Sequence, residues 1–141
     1  MPLCASPNPL ILLFYSTHCQ VLQTQRRVLG PEHKDTLSTA MQLAGASLNA
    51  GRNADAEAQY REILAVQTRV LGVTDPATLT CQMNLASSLL SQARYKEAEE
   101  LYKSNLEAKT RRLGCDHVDT LMVEMNLVCV AHAIPYHHCH C

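Results

Sequence analysis

"RRVLGPEHKDTL" (26–37) is answered by "TRVLGVTDPATL" (68–79) and by "TRRLGCDHVDTL" (110–121), so one twelve-residue phrase returns every 42 residues. The agreement runs well beyond the phrase. With residues 25–66 set against 67–108, the matches include Leu29/Leu71, Gly30/Gly72, Thr36/Thr78, Leu37/Leu79, Met41/Met83, Leu43/Leu85 and Ala44/Ala86. They continue through Ala56/Ala98, Glu57/Glu99, Tyr60/Tyr102 and Leu64/Leu106 without a gap. The third copy carries Arg111, Leu113, Gly114, Thr120, Leu121, Met125, Asn126 and Leu127 in the same register. Such self-similarity at a fixed period is the signature of a repeat architecture.

Each unit reads as two helices. In "DPATLTCQMNLASSLLSQA" (75–93), Asp75-Pro76 suits a helix start, and the apolar residues fall into the stripes Leu79/Met83/Ala86/Leu90 and Leu85/Leu89. So wide an apolar face fits a helix held between two neighbours. Asp35 and Asp119 are expected to cap the corresponding helices by accepting free N–H groups. In "ARYKEAEELYKSNLEAKTRRLG" (93–114), Tyr95, Ala98, Tyr102 and Leu106 follow helical spacing, with Glu99 and Lys103 as an outward i,i+4 pair. The repeated phrase is therefore the exit from one helical hairpin and the start of the next. Gly30, Gly72 and Gly114 supply the positive-φ residue that ends a helix. Arg27, Arg69 and Arg111 meet the negative end of the helix dipole, which accounts for them better than an anion-binding row does. The predicted elements are hairpins over about 36–71 and 77–113 and a lone helix over about 119–134.

At "MNLASSLLSQARYKEAEELY" (83–102) the sequence resembles the tetratricopeptide repeat, through Leu85-Ala86, Leu89, Tyr95, Ala98 and Tyr102. The first unit repeats this with Leu43-Ala44, Gly51, Ala56 and Tyr60. The family's large aromatic near the start of the first helix is replaced by Ala40, Gln82 and Glu124, and its usual period is about 34 residues. The longer spacing, with "LG-x-x-H/D-x-x-T-L" between units, resembles the repeats of kinesin light chains. The heptad segment that would hold a motor heavy chain is absent from these residues. The resemblance implies an all-α solenoid of helical hairpins wound as a right-handed superhelix, covering residues 25–134. Residues 1–24 form an N-terminal segment, and 12–29, running past its end, read as the second helix of an earlier unit, with Leu22 in register with Leu64 and His18 standing where Tyr60 and Tyr102 stand. Pro135 replaces Gly51 and Ala93 and is expected to end the last helix, leaving 135–141 as a disordered Cys/His-rich tail. A fragment of a longer array, or an aberrant gene model, would give both irregular ends.

Composition narrows the function. Lys plus Arg number 12 and Asp plus Glu 13, for a net charge of −1, so there is no basic footprint for nucleic acid or for an anionic membrane. The apolar run "LILLFY" (10–15) is too short to span a bilayer, and the residues before it lack the Lys or Arg of a signal peptide. Seven scattered cysteines fit no disulfide framework and read as free thiols in a reducing, cytoplasmic setting. No nucleophile elbow, phosphate-binding glycine loop or metalloprotease helix motif is present, so neither an enzyme nor a cofactor is expected. His33 and His117 recur where Asp75 stands and suit a turn or cap. The tail residues His137, His138, Cys139, His140 and Cys141 are competent metal ligands, but adjacent residues on one terminus lack the spacing of a structural site.

The resemblance implies a binding scaffold whose first helices line a concave surface and receive a protein or peptide. Two recurrent rows mark the candidate surface there, the amides Gln42, Asn84 and Asn126 and the thioethers Met41, Met83 and Met125. Amides can bond a ligand's backbone and methionines can adapt to varied side chains, with Leu48 and Leu90 one or two turns on. Packing between adjacent first helices is the competing account of the methionines, and local turn capping that of the amides. A structural segment of a larger multidomain protein, or metal binding by the tail, are the rival functions.

Overall fold

The computed structural model describes residues 8–137, with side chains over 8–133. Among the described residues six helices follow in chain order: α1 (Pro9–Val28), α2 (Lys34–Asn49), α3 (Asn53–Val70), α4 (Pro76–Ser91), α5 (Tyr95–Leu113) and α6 (Val118–His137). No strand occurs among them. Each helix packs chiefly on its neighbours in the chain, and α2 also meets α4 across the stack. This is the one-dimensional order of a solenoid. Helix α2 with α3, and α4 with α5, make the two hairpins the 42-residue register predicts.

Two kinds of turn join the helices. Within a hairpin the exit is tight: Arg52 N–H donates to the Ser47 carbonyl at 2.9 Å and Gly51 N–H to that of Leu48 at 3.0 Å. The next hairpin repeats this with Arg94 to Leu89 and Ala93 to Leu90. These are Schellman exits, which place one residue at positive φ. Gly51 takes φ +76° there, and Ala93 is forced to +59°. Between hairpins, Gly30, Gly72 and Gly114 take φ of +90° to +95°. Arginines stand in the last turn before each, as the dipole requires.

Two boundaries differ from the sequence reading. His33 and His117 take the cap role that suits them, their Nδ1 atoms accepting from Asp35 and Asp119 N–H at 3.2 Å, so the helix starts belong to the histidines and not to the aspartates. Asp75 caps α4 in the same way at 2.9 Å. A cap must lie outside the helix on extended backbone, as His33 and Asp75 do at ψ 140°; Asp35 is already the second helical residue. The second difference is α6, which passes through Pro135 to His137. Proline is locked near the helical φ and cannot make the positive-φ exit of Gly51 and Ala93, so the break those residues make is missing. The side chain of His137, and residues 138–141 altogether, lie outside the described residues, and with them the tail's ligand set.

The core runs as a file between the helices. Leu37, Leu43, Ala44, Ala56, Tyr60 and Ile63 are buried in the first hairpin, and Leu79, Leu85, Ala86, Leu89, Ala98 and Tyr102 in the second. Each hairpin encloses an alanine from both helices completely. Tyr102 extends its hydroxyl to 3.3 Å from Ser87 Oγ, while Tyr60 lies over Gly45, the residue that matches Ser87 in the repeat. Cys81 is enclosed between hairpins and donates to the Tyr60 carbonyl at 3.4 Å. Burial pushes both the Cys81 thiol and the Tyr60 phenol up to about 12, so neither ionises near neutral pH.

Ala98→Asp should destabilise the chain by several kcal/mol, because it buries an unpaired carboxylate where nothing is exposed. Glu100→Ala, at an exposed position, should stay within roughly 0.5 kcal/mol; urea midpoints of the two variants check the contrast. Ala93→Gly should raise stability by about 0.5–1 kcal/mol, since it relieves a left-handed alanine at a smaller cost in unfolded-chain entropy. Gly51→Ala should do the reverse, for no atom lies within 4 Å of where its Cβ would stand and only backbone strain remains.

Candidate partner-binding face

The first helices are almost without charge. Helix α4 carries no charged residue, α2 only Lys34 and Asp35 in its first turn, and α6 only Asp119 and Glu124. Charges gather on α3 and α5 instead. This division leaves α2, α4 and α6 to present neutral polar and apolar groups.

On that face the structure places the candidate residues unevenly. Gln42 is exposed, and its Oε1 lies 3.2 Å from His18 Nε2 on α1. It borders an apolar groove of about 470 Å³ between α1 and α2, lined also by Leu10, Ile11, Phe14, Gly45, Ala46 and Asn49. Met41, one residue away, looks into a different depression of about 230 Å³ shared with Leu37, Gln67, Leu71 and Thr80. The amide and thioether of the first unit therefore flank α2 on two sides and do not share one groove. Asn84 and Asn126 are half-buried. Met83 is packed partly against the core, with Lys109 Nζ 3.2 Å from its sulfur, whereas Met125 is fully open. Leu48 and Leu90 also rest partly against the core.

The opposite layer holds a polar cluster that the sequence reading misses. The Arg94 guanidinium holds both oxygens of Glu57 through Nη1 at 2.8 and 2.7 Å. Its Nε and Nη2 hold Glu97 at 2.8 and 2.6 Å. Arg61 Nε and Gln92 Nε2 complete the shell of Glu57 at 2.9 and 2.8 Å. The cluster ties α3 to the start of α5. Forty-two residues earlier the same arginine position, Arg52, lies over the Tyr15 ring at 4.3 Å from its centroid. The signal in the sequence is the recurrence of Arg52/Arg94 and Glu57/Glu99. A second helper is Asn105, fully buried, whose Nδ2 donates to the Leu79 carbonyl at 2.8 Å and to Gln82 at 3.0 Å. Among the described residues no group of histidines, cysteines and carboxylates could hold a metal ion, and no helix is long and apolar enough to cross a membrane.

Comparison with known proteins agrees with this geometry. The tetratricopeptide repeat family model matches residues 35–111, more than half of the chain. The chain belongs to the tetratricopeptide repeat family. It is similar in structure to a Podosopora anserina protein named for kinesin light chain and built of nearly identical TPR-like repeats, with a TM-score of 0.82 and 23% identity over 89% of this chain and 59% of that one. A point variant of that same protein gives 0.81 at the same identity and coverage. BtubC (BKLC) from P. vanneervenii gives 0.78 and 18%, over 86% of this chain and 48% of that one. The chain thus spans between about half and three fifths of the length of these structures. No curated protein sequence matches it. The fold is that of a protein-interaction scaffold.

The Glu57 cluster makes stability depend on acid. Burial raises the Glu57 carboxyl, but hydrogen bonds from Gln92, Arg61 and Arg94, with the Arg94 charge, outweigh it and hold the group below its ordinary 4.5. The folded state therefore keeps this proton off to lower pH than the unfolded state does. Its contribution is complete above about 4.5 and is lost as pH falls through the lower folded value. Glu57→Gln should lower the urea midpoint at neutral pH and flatten its decline below pH 4.5, measured against the parent chain.

Proposed function

We propose that the chain is a non-enzymatic scaffold that receives a peptide segment of a partner protein across its first helices, in the manner the kinesin light chain resemblance implies. The observation that carries this reading is the recurrence of an amide at one register position, Gln42, Asn84 and Asn126, on three successive first helices that are otherwise nearly free of charge. Neighbouring helices pack about 8–10 Å apart, which an extended strand spans in roughly three residues. One amide per helix can therefore bond a ligand's backbone at regular steps. That gives affinity with little demand on sequence. Met83 and Met125, with Leu48 and Leu90, then adapt to the ligand's side chains, and Met41, which faces the depression on the other flank of α2, is reached only by a ligand that crosses that helix. A setting in the cytoplasm accords with the free thiols Cys19, Cys81, Cys115 and Cys129.

The test uses a peptide selected from a displayed random library on the intact chain. Removing a buried ligand group's partner costs about 1 kcal/mol or somewhat more. The double change Asn84→Ala with Asn126→Ala should weaken that peptide about tenfold or more, with melting temperature nearly unchanged. Because the face is neutral, the parent affinity should vary little with salt. An unfolded double variant would make the amides structural, and an unchanged affinity would place the peptide on another surface.

A further inference from the structure

The depression of about 230 Å³ that Met41 faces lies in the middle of the array, where α2, the end of α3 and the start of α4 meet. Leu37, Met41, Leu71 and Ala77 give it aliphatic walls. Gln67 also lines it, is only 3% exposed, and has an Oε1 without a hydrogen-bond partner among the described residues. A buried carbonyl oxygen left without a donor is costly, because it has given up water for nothing. The polar neighbours do not repair this. Thr80 Oγ1 already donates to the Pro76 carbonyl at 2.8 Å, and Lys34 and Ser38 are exposed. The repeat shows where such a side chain points. Lys109 stands one repeat on from Gln67, and its Nζ lies 3.2 Å from the sulfur of Met83, the counterpart of Met41. The end of the side chain is thus turned toward the thioether of its own hairpin. In the second hairpin the ammonium closes on that sulfur, whereas in the first Gln67 and Met41 share an open depression.

We infer that this depression is a pocket for a glutamine side chain of the bound peptide, whose carboxamide pairs with that of Gln67 while its methylenes lie against Leu37, Met41 and Leu71. Resting on the peptide-binding reading of the first helices, the pocket lies where a segment crossing from Gln42 on α2 to Asn84 on α4 must pass. A primary carboxamide carries a donor and an acceptor on one edge. It gives Gln67 Oε1 an N–H and takes one from Nε2 in the same plane. A trans backbone peptide holds its N–H and C=O on opposite sides and answers only one of them. An indole offers a donor and no acceptor, and a carboxylate sets acceptor against acceptor. A lysine or arginine would bring its charge into a depression with no carboxylate among its lining residues, beside the Lys34 ammonium.

Three capped residues serve as probes: the N-acetyl methylamides of glutamine, glutamate and methionine. They are alike in length and in backbone amides and differ at the end of the side chain. Each is titrated at millimolar concentration and neutral pH into the full chain, with thiols kept reduced. Binding is followed by NMR on the methionine methyl groups and the side-chain amides. The glutamine compound should shift the Met41 methyl and the Gln67 amide, and should bind about tenfold more tightly than the other two, as two added hydrogen bonds predict. Gln67→Met keeps the length of the side chain and should abolish that preference. Circular dichroism verifies its folding, and the comparison of the three compounds on the parent chain stands without it. Equal affinities for the three compounds overturn the inference, as do shifts confined to other residues or a preference that survives Gln67→Met. Asn84 and Asn126 do not line this pocket, so the outcome is separate from whether those amides hold a peptide.

Discussion

Helices can lie close only where their side chains let them, and in each hairpin that permission comes from alanine. Ala44 and Ala56 in the first hairpin, and Ala86 and Ala98 in the second, are wholly enclosed and have nothing beyond Cβ to hold the axes apart. Close approach in turn makes room for a tyrosine one turn further along the second helix, and Tyr60 and Tyr102 fill it. The tyrosine then meets the first helix at a small residue, Gly45 or Ser87, and its backbone meets the next hairpin, as Tyr60 does through Cys81. A large group at any of the four alanines would disturb this whole succession of contacts.

A stack in which each helix touches mainly its chain neighbours has two layers with different duties. The second helices carry most of the charge, with Glu57 tying one hairpin to the next and Asn105 tying the two helices of its own hairpin. The first helices, relieved of that work, are left neutral. Coulombic attraction reaches about a Debye length in salt, whereas amides and thioethers act only on contact. A surface of the second kind selects by shape and by hydrogen-bond geometry, which is what repeated, evenly spaced groups supply.

The repeat itself is legible because spacing, glycines and alanines agree from unit to unit, and such consistency across levels is what specifies a fold. Local chemistry is harder to read. Both His33 and Asp35, and both His117 and Asp119, are legible as caps of α2 and α6; aspartate is the stronger capping residue by type, but position decides, and position gives the role to the histidines. The end of α6 lies beyond its expected place because Pro135 acts less as a helix breaker than as a residue unable to adopt positive φ. The separation of Gln42 and Met41 into two depressions has no trace in the sequence either. Adjacent residues on a helix point about 100° apart, and only the neighbours' positions decide which groove each meets. The Glu57 cluster needs three segments brought together, and no local pattern announces that.

The two equivalent arginines have different seats, and this divides the mechanics of the array. Arg94 is clasped by carboxylates, whose grip fails once they are protonated, while Arg52 rests on the face of the Tyr15 ring, a contact that involves no carboxylate. Acid therefore slackens the joint between α3 and α5 and spares the one between α1 and α3. Two equivalent links of the array are thus fastened differently, one by carboxylates that acid can neutralise and one by an aromatic face, so loosening in acid would begin at the former.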